Sequence, residues 1–116
     1  MQLKLSSPAI WLATDPVDFR CSIDGLCGIV QGNFSMDIKE SIFIFHSRDK
    51  KKIKLLTWHK TGFVLIYKRL EKGTFKLCQS ENGLLTLDEK QLSWLLAGLD
   101  WVSMSSWNEL EFDNYF

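Results

Sequence analysis

Apolar positions along this chain fall into short runs separated by polar turns, with helical spacing at two places. Ile10 to Ala13 is a four-residue apolar run that predicts a buried strand, ended by Thr14-Asp15-Pro16. Asp15 and Pro16 then predict a helix start. An N-terminal proline loses no helical hydrogen bond, and the acids Asp15 and Asp18 favour the positive end of the dipole. Phe19, Ile23, Leu26, Cys27 and Val30 would form the stripe of that helix. Gly25 and Gly28 weaken it by about 1 kcal/mol each relative to alanine. After a polar connection from Gly32 to Glu40 come runs of strand character: Ile42 to His46, Lys52 to Trp58, Phe63 to Tyr67, Thr74 to Cys78 and the short Leu84 to Leu87. Asp88 to Leu99 is the clearest helix. Asp88 caps it, Gln91 reaches back to complete a capping box, and Leu87 and Leu92 occupy the staple positions. Leu92, Leu95, Leu96 and Leu99 make its stripe, and Gly98 stands where a helix ends.

Short strands joined by turns of this length predict an α+β fold, an antiparallel β-meander of about four to six strands with two main helices packed on it. A length of 116 residues suits a single domain, here expected over 1–101, with an acidic aromatic C-terminal tail over 102–116. Trp107, Phe112, Tyr115 and Phe116 suggest that the tail docks on something or is partly disordered. At 46% hydrophobic and 24% charged, the chain can bury a core. No apolar run reaches membrane-span length, and the N-terminus does not read as a signal peptide. Three scattered cysteines fit a reduced compartment, so the expected location is the cytoplasm.

Charge changes the picture. The whole chain is neutral, yet residues 39–76 hold eleven Lys or Arg against Glu40, Asp49 and Glu71, a local balance of +8. In a meander, alternate turns share one end of the sheet. The Ser47–Lys51 and Lys68–Gly73 turns should therefore be neighbours, with the His59–Gly62 turn at the far end. Arg48, Lys50, Lys51, Lys52, Lys54, Lys68, Arg69 and Lys72 are thus the candidate nucleic-acid-binding residues, meeting DNA through its phosphate backbone. The plainer alternative is that lysines in exposed turns serve solubility and protect a sheet edge. Among the interleaved aromatics, Phe63 and Phe75 are expected in the core, and Tyr67 is the one expected to reach the surface.

These residues resemble a known family in three blocks. The first is Ile10 to Leu26, IWLATDPVDFRCSIDGL. The second lies between Phe43 and Phe75 and includes Phe45, Arg48, Lys52, Lys54, Leu56, Trp58, Gly62, Phe63, Lys68-Arg69-Leu70-Glu71 and Gly73. The third ends in Gly98-Leu99-Asp100-Trp101. Together they are similar to the small accessory protein (TnpB, or second-reading-frame protein) of bacterial insertion sequences of the IS-sixty-six type. The resemblance implies a role in transposition beside a separate transposase that carries the cutting and joining chemistry. It places the family's basic block on Arg48, Lys50, Lys52, Lys54, Lys68 and Arg69, and a helical Asp–Arg pair on Asp18 and Arg20. Departures from the pattern include Cys21, Ser22, Ser47 and His59, where Lys, Gly, Asn and Asp are common.

No catalytic or metal centre is expected. Asp15 and Asp18 read as cap residues, and two histidines with three cysteines match no zinc spacing. No glycine-rich phosphate loop is present, and no cofactor is implied. The expectation is a non-enzymatic accessory factor that binds DNA. The alternative is a protein-interaction module that docks on the transposase without touching DNA.

Overall fold

The computed structural model describes residues 8–105. The tail aromatics and acids from Trp107 onward lie outside the described residues. Five strands, β1 (Ala9–Ala13), β2 (Ser41–His46), β3 (Lys52–His59), β4 (Gly62–Arg69) and β5 (Leu84–Leu87), form one sheet in the order β4-β3-β2-β1-β5. Helix α1 (Ile23–Asn33) links β1 to β2, and α2 (Glu89–Leu96) follows β5. A single 3-10 turn, Ile38–Glu40, leads into β2. The fold is α+β, as the pattern predicts. The meander covers β2-β3-β4, whereas β1 lies parallel to β2 and antiparallel to β5. The helix between β1 and β2 accounts for the parallel pair, since a parallel connection needs a crossover element.

Side chains alternate across the sheet and fill two cores. Leu26 and Val30 of α1 pack with Ala13, Phe43, Phe45 and Leu56 on one face. Leu95 of α2 packs with Ile10, Leu12, Ile44, Ile53, Leu55, Phe75 and Leu87 on the other. Trp101 closes this second core and donates its indole N–H to the carbonyl of Lys76. Residues 101–105 are helical, and Asp100 accepts from the Ser103 N–H at 3.3 Å and from its hydroxyl at 3.0 Å.

Three expectations need correction. The first helix begins at Ile23, not after Asp15, and residues 14–22 form an irregular loop. The Thr14 N–H donates to the Gly83 carbonyl and the Val17 N–H to the His46 carbonyl, so the backbone here is bound to the sheet's surroundings. Residues 74–78 are not a strand. After β4 the chain must reach β5 at the opposite edge, so it crosses the α2 face and drops Phe75 into that core. Leu99 is 44% exposed because α2 ends three residues earlier. Gly98, at φ +79°, closes the helix: its N–H bonds the Leu95 carbonyl and the Leu99 N–H bonds the Trp94 carbonyl, both at 3.0 Å. This is the paired 5→2 and 6→1 pattern of a glycine C-terminus. The start of α2 is as expected, with Asp88 and Gln91 bonding each other's backbone N–H groups.

Candidate nucleic-acid interface

The turn after β2 is built by its own side chains. Ser47 Oγ donates to Asp49 Oδ1 at 2.6 Å and accepts from the Lys52 N–H at 3.1 Å, while Asp49 Oδ1 also accepts from the Lys51 N–H. The Ser47 hydroxyl, then the Lys51 N–H, hold the Asp49 carboxyl below its ordinary pKa. Lys50 takes the left-handed conformation at φ +62°. This turn is stitched to the segment after β4: the Leu70 N–H donates to the Lys51 carbonyl at 2.8 Å, and the Phe75 N–H to the Lys50 carbonyl at 2.7 Å. Lys52 lies opposite Arg69 in the β3–β4 register. The two basic turns therefore share one sheet end, and the His59–Gly62 turn lies at the other.

The eight candidate residues are not equivalent. Arg48, Lys50, Lys51 and Lys72 are exposed and make no ion pair among the described residues. Lys52 is half-buried with Nζ 4.0 Å from Asp49, and Arg69 bonds Glu71 at 3.0 Å. Lys68 points to the α2 face and donates to the Leu96 carbonyl, where a cation suits the negative helix end.

Lys54 is a correction, because it does not belong to the surface set. Only 7% exposed, it donates to the carbonyls of Phe19 and Cys21 at 2.8 and 2.9 Å. Its ammonium also lies 4.8 Å from the Phe19 ring centroid and 5.9 Å from that of Tyr67. Lys52 and Lys54 do share a face of β3, as alternation predicts, but that face is covered by the 14–22 loop around Lys54. The only sequence hint was an aromatic pair able to flank it, Phe19 and Tyr67, which meet edge to face at 6.0 Å. Phe75 is buried, Phe63 is half-buried in an edge-to-face pair with Trp58, and Tyr67 reaches the surface.

One further side chain binds the loop to this end of the sheet. His46 is buried at the end of β2, with Nδ1 3.0 Å from the Ser47 carbonyl oxygen and Nε2 3.0 Å from that of Thr14. The apolar run Ile42 to His46 predicts the strand but not this buried bridge to Thr14. Asp18 and Arg20 form a forked ion pair, but in the loop and not on a helix. The Arg20 guanidinium, and then its backbone N–H, lower Asp18 from 3.8 to about 2.

Two carboxylates elsewhere have structural partners, Asp88 at the α2 cap and Asp100 at the next helix. The three cysteines are free, and burial raises the Cys27 and Cys78 thiols, which disfavours thiolate. Among the described residues no three His, Cys, Asp or Glu side chains gather as a metal site. No described helix is long and apolar enough to cross a membrane.

The class defined by these features is a small α+β domain whose mixed sheet, flanked by a helix on each face, ends in one strongly basic edge. The chain matches the family described as IS66 Orf2 like protein over residues 8–106, and it belongs to that family. Membership gives it an accessory role in the transposition of an insertion sequence. Two relatives come from Sinorhizobium fredii (strain NBRC 101917 / NGR234). The protein y4jC is 34% identical over 94 residues, covering 80% of each chain. The protein y4hO is 32% identical over 93 residues, covering 79% of this chain and 81% of its own. No solved structure matches the chain.

Proposed function

We propose that the protein serves its element by binding DNA phosphates, without catalysing a reaction, through the edge formed by Arg48, Lys50, Lys51 and Lys72, with Lys52, Lys68 and Arg69 flanking. One observation carries the reading: the backbone bonds from Leu70 to Lys51 and from Phe75 to Lys50 hold two basic turns side by side. Across 48–52 and 68–72, seven cations face only Asp49 and Glu71. A rigid basic edge of this kind releases counterions from a phosphate backbone without ordering a loop first. The role is positioning, and the transposase is the partner expected to hold the chemistry. The protein should neither nick nor join DNA with magnesium or manganese.

The test is a titration with element-end and random duplexes across a salt series. Arg48→Ala, Lys51→Ala and Lys72→Ala together should weaken both duplexes alike and flatten the log–log salt slope by roughly 0.9 per lost contact. Lys90→Ala, on α2, should change neither. A triple variant that binds like the parent sinks the proposal.

A further inference from the structure

The second surface is the outer edge of β4. Among the described residues β4 has one neighbour, β3, with continuous register from Lys52↔Arg69 to His59↔Gly62. The segment that would have covered it, residues 74–78, crosses the α2 face instead. An edge strand presents a row of unpaired N–H and C=O groups, and proteins usually blunt it with proline, a bulge or a charge. This strand has no proline, and its pairing shows no bulge. Lys68 is turned away to the end of α2. Apolar side chains are left outside: Val64 is 39% exposed, Ile66 53% and Tyr67 52%. Val64 and Ile66 share the α2 face, and Tyr67 stands on the other.

We propose that β4 takes up one added strand, an extended acidic segment of a protein partner. Its apolar residues, at alternate positions, lie on Val64 and Ile66, and its carboxylates meet the basic flanks. Charge selects this occupant. With Lys68 held at the end of α2, β4 and its flanks still carry Lys60, Arg69 and Lys72 against Glu71 alone. Phosphate could meet those cations, but nucleic acid neither pairs with a strand edge nor covers Val64 and Ile66. A second copy fits the apolar residues: antiparallel self-pairing centred on Leu65 sets Val64 opposite Ile66. It also brings together two edges that both carry Lys60, Arg69 and Lys72, and like charges close together across strands oppose pairing. An acidic strand satisfies the main chain, the apolar face and the charge together.

The probe is the capped peptide Glu-Val-Asp-Ile-Glu-Val-Asp, titrated into the full-length protein and followed by amide NMR and backbone hydrogen exchange. The expected result is saturable shifts confined to β4 and its flanks, with slowed exchange there. Binding should be at least about tenfold tighter than for the same peptide with lysines in place of its acids. Ile66→Lys should abolish binding while leaving the spectrum elsewhere unchanged, since the side chain is exposed. Four results overturn the proposal: equal binding of the acidic and basic peptides, shifts away from β4, protection in dilute free protein of the β4 amides that face away from β3, or concentration-dependent dimers that Ile66→Lys disperses. The peptide comparison needs no variant and stands whether or not Ile66→Lys folds.

Discussion

Replacing Lys54 by Met keeps an apolar stem of similar length and removes the ammonium. Two hydrogen bonds from that ammonium, 2.8 Å to Phe19 and 2.9 Å to Cys21, disappear. Bonds to a charged group contribute about 1.5–3 kcal/mol each. The contacts with the Phe19 and Tyr67 rings add about 0.5–1 kcal/mol apiece. Against this, the variant no longer desolvates a charge, which costs several kcal/mol in a site only 7% exposed. Phe19 and Cys21 are half-buried, so water recovers part of what their carbonyls lose. The balance is a net destabilisation of about 2 kcal/mol, or roughly 8–15 °C in melting temperature for a domain of this size. Thermal unfolding followed by circular dichroism measures it, and hydrogen exchange should localise the loosening to residues 17–22. The same protein, assayed below its transition, should keep the parent's salt slope for DNA. The reasoning fails if Lys54→Met melts with the parent, or if it flattens the slope as loss of Lys51 does.

Three further outcomes follow from single positions. Lys50→Gly should raise stability by about 0.5–1 kcal/mol, because φ +62° suits glycine, yet weaken DNA binding by removing one cation; urea unfolding and the salt titration read the two effects separately. Gly98→Ala should cost about 1–2 kcal/mol in urea unfolding, through its φ of +79° and not through crowding, since the nearest Leu70 carbon lies 3.6 Å from the new methyl. Asp18, depressed to about 2 by Arg20, contributes stability that is complete above its ordinary value of 3.8 and is lost as pH falls through 2; carboxyl NMR should show this titration, and Arg20→Gln should return it toward the ordinary value.

Sequence patterning resolves what local chemistry governs here and misses what tertiary bonds decide. The β2-β3-β4 runs, the short β5 and the Asp88–Gln91 cap depend on alternation and near-neighbour hydrogen bonds, and all were legible. Asp15-Pro16 is an equally good local helix signal, yet it is overridden. In a helix started there, the Phe19 and Cys21 carbonyls would face residues four further on; here they face Lys54, a residue remote in sequence. Residues 74–78 have strand composition, but their path is set by the need to cross to β5. The basic edge was visible as a cluster of turns because both turns belong to the meander. The exception within it, Lys54, was hidden because alternation reports which face a side chain takes and not what covers that face.

The position of β1 also shapes how the chain assembles. Its two neighbours arrive at very different times during synthesis: Ile10 pairs with Ile42, but also with Leu87. The hairpins β2-β3 and β3-β4 close over short loops and are fast to form. The N-terminal strand, made first, must wait for nearly the whole domain before its second side is satisfied. Assembly is therefore expected to start from the basic meander and finish at β5 and α2, with β1 joining between them. A chain interrupted before Leu84 would leave β1 as an apolar open edge, prone to pair with other chains and exposed to proteolysis.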